Sequence, residues 1–139
     1  MSPLLFVLVM EAFSRMMTAT VERDLMSGFL VGSRHLEVMV VSHLLFADDT
    51  LIFCEPKVEQ ICNLRCLLLC FEAVFGLKIN LSKCDIVPIG EVGDVEGLSR
   101  ILGYGVGSMP FTYLGFHWVL SIWIHRYGII SLRRWRLSW

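Results

Sequence analysis

The sequence predicts a small α+β domain in which an antiparallel hairpin and sheet pack on two helices. Three observations carry this: an apolar run opening at Pro3, a Val/Leu/Ile/Phe-rich stretch split by acids at residues 47–50, and helical periodicity from Pro56 to Gly76. Composition agrees. The 139 residues are 55% hydrophobic and 18% charged, against about 45–50% and about 25% in average soluble domains. Such a chain builds a core and is not disordered. It carries little charge to solubilise the remaining surface, which fits a fragment that expects neighbours.

Ser2-Pro3 opens the first helix, because Ser caps free amides and Pro loses nothing in the first turn. Leu4 to Met17 is apolar almost all round, which predicts a buried helix with Glu11 and Arg15 as an exposed i, i+4 pair. Gly28 and Gly32 punctuate the next segment. Between Leu36 and Phe53 the composition predicts two strands joined by a tight turn at Ala47-Asp48-Asp49-Thr50, with His43 read as a core or partner-facing residue of the first strand. Ile61, Leu64, Leu68, Phe71 and Phe75 then share one helical face, and Gly76 closes that helix as a C-cap. Leu77 to Leu81 alternates and begins a strand, after which a Gly-rich connection leads to Phe111–Gly115. The chain has no internal repeat and no low-complexity segment.

Charge is distributed unevenly. Residues 1–96 hold seven Lys/Arg and all 13 acids, whereas residues 97–139 hold five Arg and no acid. The run Arg133-Arg134-Trp135-Arg136 suits phosphate or an anionic surface, since Arg forks onto phosphate oxygens, and a solvated basic tail is the plainer reading. Five cysteines without paired spacing predict a reduced, intracellular setting, in cytoplasm or nucleus. Cys62, Cys66 and Cys70 recur every four residues. With no fourth ligand at zinc spacing they read as small core residues. The apolar start lacks a basic flank and is ended by Glu11, unlike a signal peptide. The uncharged stretch Ile101–His125 is interrupted by Gly and Pro, so no membrane span is expected there.

The chemically informative element is Phe46-Ala47-Asp48-Asp49. Adjacent carboxylates at the tip of an apolar hairpin repel one another, and a cation should relieve them. Mg²⁺ suits the task, being a hard ion that takes one or two carboxylates and completes its shell with water and substrate phosphates. Asp-Asp also makes a solvated turn by bonding its own backbone, so the dipeptide alone does not decide.

More of the chain does. Phe46-Ala47-Asp48-Asp49 within Leu44–Phe53 resembles the acidic palm hairpin of reverse transcriptases of non-LTR (LINE-type) retrotransposons, particularly plant ones. Ser2-Pro3-Leu4-Leu5-Phe6 resembles the end of the family's Gly-Asp-Pro-Leu-Ser-Pro-Leu-Leu-Phe motif. Phe71-Glu72 with Gly76–Lys83 resembles the next palm motif, and Pro110 with Tyr113-Leu114-Gly115 the one after. The four motifs stand in the family's order. The resemblance therefore implies a truncated palm over residues 1–116, followed by a divergent basic Trp/Arg-rich tail over 117–139.

What the resemblance implies chemically is RNA-directed DNA polymerisation, a templated nucleotidyl transfer to a primer 3′-hydroxyl in which two Mg²⁺ ions serve the attacking and leaving oxygens. Carried over by position, Asp48 is the main metal ligand and Asp49 the accessory one. Ala47 leaves room for the primer end, and Lys83, or Lys78 in its stead, lies near the incoming triphosphate. Tyr113, Leu114 and Gly115 belong to a hairpin supporting the primer. The implied partners are an RNA template, a DNA primer and deoxynucleoside triphosphates, together with the missing fingers and thumb. The family's further catalytic Asp lies upstream of the first helix, and Glu11, Glu22 and Asp24 are the only acids available before Glu37. The isolated chain is thus expected to be inactive. Two other classes remain open: a non-enzymatic nucleic-acid binder using the basic tail, and a hydrophobic interaction remnant.

Overall fold

A computed structural model describes residues 3–31, 39–46, 49–79, 81, 84–89, 92–107, 111–113, 116–118 and 128–137. Its elements run α1 (Pro3–Glu22), β1 (Phe29–Val31), β2 (Met39–Val41), β3 (His43–Phe46), β4 (Asp49–Cys54), α2 (Val58–Phe75), β5 (Leu77–Ile79), β6 (Asp85–Ile89), α3 (Val95–Leu102), β7 (Gly105–Val106), β8 (Phe111–Tyr113), β9 (Phe116–Trp118) and β10 (Gly128–Leu137). The α+β expectation holds, with the sheet packed on helices. The predicted starts and stops are visible in the geometry. Pro3 is the first residue of α1, and Gly76 caps α2 in the left-handed region at φ 67°, donating its N–H to the Glu72 carbonyl.

The main sheet runs β3-β4-β10-β6-β7, with β5 also pairing β10. Every pairing is antiparallel except that of β6 with β7. β10, last in sequence, lies at the centre. It pairs with β4 from Ile129↔Cys54 to Arg134↔Asp49 on one side, and on the other with β6 from Gly128↔Ile89 to Leu132↔Asp85, then with β5 from Trp135↔Ile79 to Leu137↔Leu77. Since β4 and β6 both oppose β10, they run parallel to each other and are joined through α2. This is a split β-α-β unit with one strand slot inside it. Residues 128–137, expected as part of a basic tail, form the longest strand among the described residues, and Ile129, Ile130 and Trp135 are of high β-propensity.

The core lies between the helices and one face of this sheet. Phe13 and Met17 of α1 meet Ile61, Leu64, Leu68 and Phe71 of α2, Leu98 and Leu102 of α3, and Ile52 and Ile86 of the strands. Phe13 and Phe71 make an edge-to-face pair at 5.1 Å, and Phe71 continues to Phe75 at 5.0 Å. The face predicted for α2 is the buried one. For α1 the expectation is corrected. Only the stripe Val9, Met10, Phe13, Met17 and Thr20 is buried, and Leu4, Val7 and Leu8 are exposed, because the sheet and α2 cover one side only. By length and composition α1 is apolar enough to cross a membrane, and its buried stripe belongs to the domain core. Ile101–His125 is divided among the end of α3, β7, β8 and β9, with residues 119–125 outside the described residues.

The cysteine expectation is also corrected. Cys54 and Cys84 are buried, whereas Cys62, Cys66 and Cys70 are exposed. The recurrence every four residues places them on the flank of α2 beside the stripe that Ile61, Leu64, Leu68 and Phe71 fill.

Candidate functional site

The joint of β3 and β4 falls at positions 47 and 48 and ends one residue pair earlier than the turn expected over 47–50, because Asp49 and Thr50 already belong to β4. The ladder pairs His43↔Ile52, Leu44↔Leu51, Leu45↔Thr50 and Phe46↔Asp49, so positions 47 and 48 separate the paired ends. Ala47 and Asp48 themselves lie outside the described residues, and Asp49 is described as the first residue of β4.

What holds this hairpin is its buried base. Thr50, Leu51, Ile52 and Cys54 are all 0% exposed. A strand buried on both sides fixes its register, because a one-residue slip turns every side chain to the wrong face. Phe53 donates its N–H to the Ser42 carbonyl at 2.9 Å, extending the pairing past β3.

His43 fastens the hairpin to α1. Its Nε2 lies 2.7 Å from Ser14 Oγ, its Nδ1 lies 2.6 Å from Ser42 Oγ, and its ring stands edge-on to Phe13 at 6.4 Å. Burial lowers its pKa, because desolvation disfavours the imidazolium. The expectation of His43 as a core or partner-facing residue agrees with this half-buried placement, in which Ser14 and Ser42 supply its hydrogen bonds. A second anchor also escaped the sequence reading. Glu72 Oε1 accepts the Ile79 N–H at 3.0 Å, tying the end of α2 to β5. Glu72 stands one turn before the Gly76 C-cap, where a carboxylate is well placed to take a following amide. A third is Gln60, whose Oε1 accepts from the Glu55 and Ser27 amides at 3.1 and 3.2 Å and joins the end of β4 to the chain after α1.

The other predicted site residues divide as follows. Lys78 is an exposed residue of β5, at the register position opposite Arg136. Lys83 lies outside the described residues. Tyr113 ends β8 and pairs with Phe116 of β9, forming a hairpin around positions 114 and 115; Leu114 and Gly115 are outside the described residues. Glu11 and Arg15 form the exposed pair expected of them, at 3.3 Å.

Asp49 has two cross-strand neighbours, Phe46 on β3 and Arg134 on β10. Among the described residues no three His, Cys, Asp or Glu side chains come together to hold a metal ion. Two Mg²⁺ ions require a larger oxygen donor set than one carboxylate beside an arginine position. The described residues therefore do not by themselves make up such a donor set.

A family model described as reverse transcriptase (RNA-dependent DNA polymerase) matches residues 1–118. That span takes in α1 to α3 and β1 to β9, and leaves out β10. No solved structure matches the chain.

Proposed function

From a chain that belongs to the reverse transcriptase family, we propose a palm portion of a non-LTR (LINE-type) retrotransposon enzyme, plant-like in its motifs. Members of the family copy RNA into DNA and generally use divalent metal ions. The observation that carries the proposal is the β3–β4 hairpin, whose base is clamped to α1 and the core while its acidic joint stands at the end of the ladder. A rigid base under two carboxylates is what templated nucleotidyl transfer asks of a metal-holding turn, since catalytic groups are placed best from rigid elements. In this reading Asp48 and Asp49 would hold Mg²⁺ together with donors from outside the described residues, and the ions would supply Lewis acidity at the primer hydroxyl and the leaving pyrophosphate. Ala47 leaves space for the primer end, Lys83 meets the triphosphate, and Tyr113, Leu114 and Gly115 support the primer strand. Template RNA, primer DNA and deoxynucleoside triphosphates are the substrates.

In this reading the chain extends primers only together with a further carboxylate supplied from outside it. Its five cysteines, none engaged in a disulfide, support a reducing compartment, cytoplasm or nucleus. Primer extension on an RNA template with Mg²⁺ tests both parts. No extension is expected from the chain alone, and extension abolished by Asp48→Ala would overturn its inactivity. Joined in frame to an upstream segment bearing an Asp-containing strand and Gln-Gly-Asp, the chain should extend primers in a manner that Asp48→Ala and Asp49→Ala abolish. Extension indifferent to both substitutions would overturn the role given to the hairpin. A second reading, a nucleic-acid binder without catalysis, is favoured by the arginines of β10. Binding of oligonucleotides that weakens steeply with salt, with no extension in either form, would select it.

A further inference from the structure

The three cysteines of α2 are not used by the function proposed above, and their exposure leaves a chemical question. Thiols at i and i+4 of a helix lie on one side, with Cβ atoms about 5–6 Å apart. Between α1 and α2 runs a groove of about 320 Å³, and Cys66 and Cys70 both line it. From α1 the same groove receives Met16, Ala19, Thr20 and Arg23, Asn63 adds an amide, and among the described residues no Asp or Glu lines it. The groove thus gathers two thiols and a thioether, with apolar walls, one guanidinium and no hard oxygen anion.

We propose that this groove binds a soft, thiophilic d¹⁰ cation, Cu(I) in the first place, through the thiolates of Cys66 and Cys70 with the Met16 sulfur as a weak third donor. Donor chemistry selects the metal. Thiolate and thioether favour Cu(I), whereas Mg²⁺ and Ca²⁺ require oxygen, and structural zinc asks for four strong ligands where the groove has two. The spacing agrees. Two metal–sulfur bonds of about 2.3 Å set in line separate their sulfurs by about 4.6 Å, a span that thiols one helical turn apart reach without bending the backbone. A disulfide needs Cβ atoms about 3.5–4.5 Å apart, closer than an undistorted helix brings them. The groove therefore favours a bridging ion over oxidation.

Binding exchanges two S–H protons for one Cu(I). Both protons leave to solvent, no electron is transferred, and the bis-thiolate complex carries one negative charge. Arg23, on the same wall, supplies the counter-charge. Cys62, one turn earlier on α2 and exposed, does not line the groove and serves as the internal control.

The test uses the reduced full chain without oxygen, titrated with Cu(I) presented as its bicinchoninate complex, whose colour reports metal withdrawn by the protein. One equivalent per chain is expected, with the protein monomeric before and after loading. Cys66→Ser and Cys70→Ser should each weaken binding by at least about 100-fold, since losing even an outer partner of a metal ligand costs about 10–100-fold. Met16→Leu should weaken it several-fold, and Cys62→Ser should leave it unchanged. Circular dichroism of each variant separates loss of the site from loss of fold, and the exposed positions make loss of fold unexpected. Equal loss on Cys62→Ser, retained affinity in Cys66→Ser or Cys70→Ser, or one copper shared between two chains would overturn the proposal.

Discussion

Replacing Ser131 by proline tests the least expected feature of the fold, a chain-terminal strand at the centre of the sheet. Ser131 stands opposite Ile52 on one side and Ile86 on the other, both 0% exposed. Proline there removes an N–H from the ladder and places its ring where a neighbouring strand packs, so it is tolerated only at edges and bulges. The carbonyl left without its donor costs about 1–3 kcal/mol. Adding backbone distortion at a strand paired on both sides brings the loss to about 3–5 kcal/mol, a large share of the 5–15 kcal/mol typical of domains. For a chain of this length that is a fall in Tm of roughly 10–20 °C. Thermal melting and amide exchange read it directly: Ser131→Pro should melt early and lose protection in β4 and β6, while Ser131→Thr, which keeps the N–H, should melt near wild type. Unchanged melting and unchanged exchange in Ser131→Pro would refute the central placement of residues 128–137.

Three further outcomes follow from the packing. Phe13→Ala, at a fully buried site in contact with Phe71 and His43, should cost about 3–5 kcal/mol in urea unfolding; a loss under about 1 kcal/mol would mean that α1 does not anchor the hairpin. His43 is held below its ordinary value of 6.5, so the unfolded chain binds its proton more readily than the folded one. Stability should be fully present above pH 6.5 and fall as pH drops through 6.5 toward the lowered folded value, and His43→Gln should remove that part of the slope. Asp94 caps α3 by accepting the Gly97 N–H at 3.0 Å, so Asp94→Ala should cost about 1 kcal/mol while Asp94→Asn costs little; equal losses from the two would sink the cap.

How much of this was legible depended on whether the signal was local. The start of α1 at Pro3, the stripe of α2 and the Gly76 cap rest on residues within a few positions of each other and stand as expected, whereas the stretch Leu36–Phe53 holds three strands, β2, β3 and β4, in place of two, with β2 paired to β1 in a separate sheet. α3 was passed over as a Gly-rich connection, yet Asp94, Glu96, Arg100 and Gly103 spell a cap, an acidic first turn, a basic last turn and a left-handed stop. Counting glycines hid the capping pattern. Burial was harder to read. Leu4, Val7 and Leu8 are as apolar as Phe13 and Met17, and only the path of the sheet decides which of them it covers. The cysteines failed for the same reason, since spacing fixes a helix face without fixing what that face meets. The place of β10 was beyond local reading altogether, because its partners lie about 40–80 residues away and its arginines resemble a solvated tail.

That placement bears on the acidic pair. In an antiparallel ladder, opposite charges at directly paired positions attract by about 0.2–1 kcal/mol, and Arg134 is paired with Asp49. Within the split β-α-β unit, β10 fills the strand slot between β4 and β6 and sets an arginine position beside that of Asp49. The expected consequence is that a positive charge at position 134 offsets part of the charge of the acidic pair. A double-mutant cycle isolates the pair. Asp49→Asn and Arg134→Gln, singly and together, should show a coupling of about 0.2–1 kcal/mol, smaller in high salt, which screens such attractions. Zero coupling at low salt would detach the tail's charge from the hairpin.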